Sequence, residues 1–232
     1  MSTLHVNVYL QEAAQIYNRR FGLPPIVEGV YVSVDEMQAS LIAEAYEKLP
    51  ANDLGNSHVW EAYCQFAIEV RCQFLYAREI GIVVEPWVGL GEPYQTSSEM
   101  CWDVLANNHL YFFTGGEPHP FLGAFDLGVG VSMNEQFRVV HDLFGHAAYG
   151  FGFGPRGEES SWLVQSQMFS PLAQKALTTE TRGQSSWFNY GPYVGNVLDR
   201  PFARQKAALL PDVFTKWHDE LDRSLAQMMV AG

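Results

Sequence analysis

The chain has 232 residues, 47% of them hydrophobic and 17% charged, and its 14 basic against 26 acidic side chains give a formal charge of −12. That mix excludes a disordered chain and supports a buried core, while the acidity speaks against general nucleic-acid binding, which needs a basic footprint. No apolar run is long enough for a membrane span, no signal-peptide pattern opens the sequence, and the three cysteines include no CxxC pair; these features predict a soluble, cytoplasmic protein in a reducing compartment.

Residues Val6–Leu10 read as a strand or a helix start, and the GLPP segment at 22–25 ends whatever precedes it, because proline removes an N–H and fixes φ. Ser33-Val-Asp-Glu36 reads as a capping box for a helix to Lys48, with Met37, Leu41, Ile42 and Tyr46 as its buried stripe. The clearest helix is 57–80, where Trp60, Tyr63, Cys64, Ala67, Val70, Phe74 and Ala77 recur at spacings of three and four. A short strand is expected from Ile82, a helix from the Thr96/Glu99 box to Asn108, and a strand over His109–Thr114. Residues 115–130 are glycine-rich loop, and Asn134 is the expected cap of the next helix. Further helices are expected from Glu158 to Phe169, from a Ser170 cap with Pro171 at its first position to a stop at Gly183, over 201–209 and over 212–229. No linker or repeat interrupts 1–232. The expectation is a single domain, mainly α with a few short strands.

The chemistry concentrates in Phe137-Arg-Val-Val-His-Asp-Leu-Phe-Gly-His146. Neutral imidazole is a common ligand of divalent transition metals, and two histidines close in sequence need little ordering to chelate. Their spacing of five turns them roughly 140° apart on an α-helix, so both reach one ion only if the helix opens locally, for which Gly145 is the candidate break. The acidic candidates downstream are Glu158, Glu159 and Glu180. Glu158 and Glu159 have an ordinary reason to stand in a first helical turn, since they favour the helix dipole. Glu180 opposes the dipole at a helix end, so pairing with Arg182 or metal ligation must account for it. His141 and His146 are therefore the expected metal ligands, joined by one of these downstream carboxylates, with Glu180 the best candidate.

HDLFGH, the helix with Gln165-Ser-Gln167, and TTETRGQ together resemble the core of the pterin-dependent aromatic amino acid hydroxylases, over about residues 98–195. The chain is also similar to uncharacterised phage and bacterial proteins carrying HD-x-FGHAA and TTETRGQ. The resemblance implies the catalytic-core fold of those hydroxylases and Fe(II) held by His141, His146 and Glu180. It sets Asp142 where the family's acidic residue contacts the pterin, and it leaves room for a tetrahydropterin beside Asp142 and Tyr190. The family's substrate-anchoring arginine has no counterpart in the HLYFF strand, and Lys175 and Ala176 stand where aromatics precede the family's glutamate.

A two-histidine, one-carboxylate site leaves coordination positions open for O2 and a small-molecule substrate. The expected activity is that of a mononuclear non-haem iron(II) oxygenase, a hydroxylase-type monooxygenase. Asp142, Glu159 and Arg182 are its candidate catalytic residues, and Asp142, Glu159 and Gln165 are candidates to orient the imidazoles. Whether one metal binds or two, and whether the chain forms a homo-oligomer, stay open. Two other readings stand beside this one. The first is an HD-type phosphohydrolase that recruits His58 or His109 and Asp126 or Asp212 to His141-Asp142. The second is a non-enzymatic binding or assembly module.

Overall fold

The computed structural model describes residues 6–27, 29–124, 130–194 and 201–216. Helix α1 (Val8–Phe21) settles the ambiguity at Val6–Leu10 in favour of helix, because the Asn7 side chain accepts from Leu10 N and caps it. Gly22 ends α1 with φ 70°, a conformation that glycine adopts without steric cost. Helix α2 (Glu36–Lys48) is capped by Asp35, which accepts from Met37 N and Gln38 N, and not by the expected Ser33 box. Its buried stripe is Ala39, Ile42, Ala43 and Tyr46; Met37 and Leu41 face solvent. This face packs against the helix at Gln184–Tyr190, whose Trp187 joins Ile42 and Tyr46 in one buried cluster.

Helix α3 (Ser57–Glu79) is the axis of the core. Its Phe66 ring stands 5.0 Å from Phe137 and 5.4 Å from Phe169, and it is fully buried along with Tyr63, Val70 and Ala77. Burying one such ring contributes about 1.5–3 kcal/mol. Trp60, expected on the buried face, is half exposed and meets the Phe121 ring edge-on. Strands β1 (Val83–Trp87) and β2 (His109–Phe113) form the one sheet seen among the described residues, a parallel pair in register from Val83↔His109 to Trp87↔Phe113. Parallel strands require a long crossover, which helix α4 (Ser97–Asn107) supplies; its Thr96 cap accepts from Glu99 N.

Helix α5 (Met133–Val140) begins at a reciprocal capping box of Ser132 and Glu135, two residues earlier than the Asn134 cap read from the sequence. It runs directly into a π-helical turn, His141–Ala147. Helix α6 (Pro155–Ser166) follows, then α7 (Pro171–Thr178), a second π-helical turn (Thr179–Gly183) and α8 (Gln184–Tyr190). Gly183 therefore does not stop the helix as expected. Its missing side chain instead makes room for Tyr46 and Leu210, whose carbons lie 2.8 and 2.9 Å from where a Cβ would stand. Ser170 stands at the N-cap of α7 with Pro171 at the first helical position, as expected, although its side chain accepts no capping hydrogen bond.

The expected helix over 201–209 is an extended strap. Ala207 N donates to Ala51 O and Asp53 N to Ala207 O, so its backbone pairs with the α2–α3 connection. The buried Lys206 ammonium donates to the carbonyls of Tyr46, Glu47 and Leu49, satisfying the orphan acceptors at the end of α2. These long-range bonds outweigh local helix propensity. Of the expected 212–229 helix, Asp212–Thr215 is a short 3-10 turn and the portion beyond 216 lies outside the described residues. Among the described residues no helix is long and apolar enough to cross a membrane, and Cys64, Cys72 and Cys101 are free thiols.

The loop between the first π-turn and α6 is held by a backbone contact: a Cβ on Gly157 would land on the carbonyl of Gly152. Gly157→Ala must displace that loop, and it should cost about 1–3 kcal/mol as overpacking does. A urea midpoint unchanged from the parent protein would refute this account of the turn.

Candidate metal centre

The spacing of five between His141 and His146 is resolved by the π-turn that contains both. In this turn Ala148 N bonds to Leu143 O at 2.9 Å and Phe151 N to His146 O at 3.1 Å, each five residues back. A π-helix widens the turn by one residue and so returns positions five apart towards one face. The two rings are 4.7 Å apart between centroids, nearly perpendicular, with Nε2 to Nε2 at 3.1 Å. Gly145 does not break the helix. It lies buried within the π-turn, where a Cβ would collide with Ser161 Oγ and stand 3.2 Å from His141 Nδ1. Glycine is needed there so that α6 can pass close.

Helix α6 supplies the carboxylate. Glu158, Ser161 and Gln165 follow at spacings of three and four, which places them on one face, and this face packs against the π-turn. Glu158 Oε2 lies 3.5 Å from His141 Nε2, and its Oε1 lies 3.6 Å from His146 Nε2. His141, His146 and Glu158 thus form a group able to hold a metal ion. Two ligand atoms bound at about 2.1 Å lie roughly 3.0 Å apart at right angles and about 3.4 Å apart at the tetrahedral angle, so the observed triangle has nearly the size such a group requires.

The outer nitrogens are also committed. His141 Nδ1 is 2.7 Å from Gln165 Oε1, and His146 Nδ1 is 3.2 Å from Phe151 O. With both Nδ1–H groups donating to oxygens, both Nε2 lone pairs face the same point. Two lone pairs at 3.1 Å repel unless a cation or a proton lies between them. Burial would raise the Glu158 carboxyl, but His146 and His141 outweigh it and hold the group at about 2. Burial opposes the charged form of His141, and Glu158 beside it pulls the ring's pKa up nonetheless. The nitrogen-rich, mixed N/O donor set suits iron, zinc or another first-row ion. His146 is buried, while His141 and Glu158 are partly open, and Phe153, half exposed, stands 5.3 Å from the His146 ring. The centre is therefore closed on the side of His146 and partly open on the side of His141 and Glu158.

Glu180, expected as the third ligand, is committed elsewhere. Its Oε1 accepts from Tyr63 Oη at 2.5 Å and from His119 Nε2 at 3.0 Å, and its Oε2 accepts from Gln184 at 2.9 Å. His119 Nδ1 in turn accepts from Phe121 N and Leu122 N, which fixes the proton on Nε2. Three donors around one buried carboxylate account for an acid at that helix position without a metal. Glu158 takes its place in the cluster. The sequence did carry a signal for it, the polar stripe Glu158-Ser161-Gln165 at helical spacing. Nothing in the sequence points from Glu180 to Tyr63 or His119.

The remaining candidates divide between the two sides of α6. Glu159, one residue beyond Glu158, points about 100° away around the helix and makes a two-pronged ion pair with Arg182 at 3.0 and 2.5 Å. Arg182 also lies 4.1 Å over the Trp162 ring and donates to Gln38 Oε1, Phe214 O and Lys216 O. Both charges are used in fastening α2, α6, the second π-turn and residues 214–216 together, so neither is free to serve as the catalytic group read from the sequence. Tyr190, expected at the cofactor, has Glu36 and Glu159 as its charged neighbours; burial and these two acids push its hydroxyl pKa up, and it belongs to the Arg182 side. Asp142 does adjoin the centre. It is partly buried, has no hydrogen bond to another described residue, and its carboxyl is pushed up by burial against the pull of His141 and His146. His58 and Asp212 both engage Lys175, and His109 Nδ1 engages Asp103 at 2.7 Å, so none of them joins His141-Asp142; Asp126 lies outside the described residues.

No protein-family model matches the chain, and no curated protein or solved structure matches it either.

Proposed function

We propose that this protein is a mononuclear non-haem iron(II) oxygenase of the hydroxylase type, with His141, His146 and Glu158 as the metal ligands. The observation that carries the reading is the convergence of two Nε2 lone pairs and one carboxylate at 3.1, 3.5 and 3.6 Å, with both Nδ1 atoms held by oxygens. Two imidazoles and one carboxylate with no further ligand among the described residues suit a working centre, since a structural zinc site closes four positions. Bound iron(II) would supply oxygen activation, with its open positions shared by O2 and substrate. The chain's own part is to fix the imidazoles, keep the ligand face compact and limit water around His146. A tetrahydropterin as reductant comes from the resemblance of HDLFGH and TTETRGQ to the aromatic amino acid hydroxylases. Asp142, with no hydrogen-bond partner among the described residues, is the group that would meet its N–H edge. A cytoplasmic setting, where thiols stay reduced, accords with three free cysteines.

Anaerobic titration with iron(II) should saturate at about one ion per chain. His141→Ala and Glu158→Ala should each weaken binding by more than the ~10–100-fold that losing an outer hydrogen-bond partner costs, with helical circular dichroism retained. Undiminished uptake in both variants would reject the ligand set.

Glu180→Gln should behave differently. It places an amide among three donors, so the protein should lose about 1–3 kcal/mol of stability and keep its metal stoichiometry; loss of metal with unchanged stability would return Glu180 to the ligand set.

The loaded protein should consume oxygen when given a reducing co-substrate. Phosphate release from nucleotides without oxygen use would favour the hydrolase instead.

A further inference from the structure

Two fully buried polar atoms on the metal-facing side of α6 have no hydrogen-bond partner: Ser161 Oγ and Gln165 Nε2. They stand one turn apart beside the same ring, since Gln165 Oε1 is 2.7 Å from His141 Nδ1 and Ser161 Oγ fills the space under Gly145 next to that nitrogen. Buried amide donors are seldom left unpaired, and here the amide has a simple alternative. Rotated by half a turn, its NH2 would donate to His141 Nδ1 and the orphan donor would disappear. That rotation has a chemical consequence. With an amide N–H pointing at it, Nδ1 must be the lone-pair nitrogen, and the ring's proton moves to Nε2. His141 would then present an N–H to the centre and could donate to His146 Nε2, 3.1 Å away. In the observed orientation Nδ1 carries the proton and Nε2 offers the lone pair.

We infer that Gln165 is the positioning residue that selects the metal-binding tautomer of His141, and that the unpaired Nε2 is the consequence of holding its amide in the one orientation that permits ligation. The inference rests on the metal reading above. It distinguishes the two histidines. His146 is set by the Phe151 carbonyl, which can only accept. His141 is set by a side chain that can present either end, so the affinity of the whole centre depends on which end it presents. Neither Gln165 nor Ser161 touches the ligand face itself; both act through His141.

The test compares Gln165→Glu with Gln165→Met in the full chain, using cobalt(II) as the probe in competition with a chelator. A glutamate at 165 offers only acceptors and locks Nδ1–H, so Gln165→Glu should bind cobalt at least as tightly as the parent protein. A methionine of similar length accepts only weakly, so Gln165→Met should bind about 10–100-fold more weakly. A role in packing alone predicts the opposite order, because a buried carboxylate is worse tolerated than a thioether. Equal affinity of Gln165→Met and parent, or a tenfold or greater loss in Gln165→Glu, overturns the inference. If Gln165→Met does not fold, judged by near-ultraviolet circular dichroism, the Gln165→Glu titration decides by itself on the same criterion. As a check on tautomer, nitrogen-15 spectra of the zinc-loaded parent should show His141 protonated at Nδ1, and protonation elsewhere also overturns it. A parent protein that takes up no metal fails the metal reading itself, a result distinct from any of these.

Discussion

The Nε2 atoms of His141 and His146 stand 3.1 Å apart, and with lone pairs on both they repel unless a proton or a cation lies between them. Everything nearby serves to keep this arrangement. The outer nitrogens donate to Gln165 and to the Phe151 carbonyl, which fixes both rings, and Glu158 closes the third side with its charge retained by the same imidazoles. The centre is a balance in which each group justifies the burial of the others. A single charge so placed would be costly, whereas the set as a whole is the kind that a divalent ion completes.

Helix α6 divides the molecule's polar interior into two parts. One of its faces carries Glu158, Ser161 and Gln165 to the first π-turn, and the adjacent face carries Glu159 and Trp162 to Arg182 in the second. Adjacent glutamates thus have unrelated duties, one in the candidate centre and one in a buried ion pair that binds α6 to the second π-turn, α2 and residues 214–216. The ion pair satisfies every donor direction of the guanidinium with acceptors, which is the condition under which a buried arginine is tolerated. The helix that presents a metal ligand is in this way anchored from behind.

Both unusual sequence segments, HDLFGH and TETRG, are π-helical turns inserted between ordinary helical stretches. Such turns are rare and gather at functional sites, because they sacrifice regular hydrogen bonding to re-aim side chains. The first brings His141 and His146 to a common point. The second sends Glu180 to Tyr63 and His119 and Arg182 to Glu159, so its chemistry is that of a buried scaffold. Their likeness in sequence style conceals different roles.

The sequence by itself determined the helical class, the periodic α3, the β1–α4–β2 order and the two histidines, because these follow from local periodicity, capping and side-chain chemistry. It also contained the Glu158-Ser161-Gln165 stripe, although the dipole argument gave Glu158 an ordinary reason to be there and so hid it. Only the tertiary structure decided between Glu158 and Glu180, since that choice depends on which helix face meets which turn. The same holds for the strap over 201–210, whose partners Ala51, Asp53 and Tyr63 lie more than a hundred residues away. Local preference cannot foresee a buried carboxylate satisfied by a tyrosine and a histidine from distant segments, because their approach is set by packing of the whole core and not by the residues beside it.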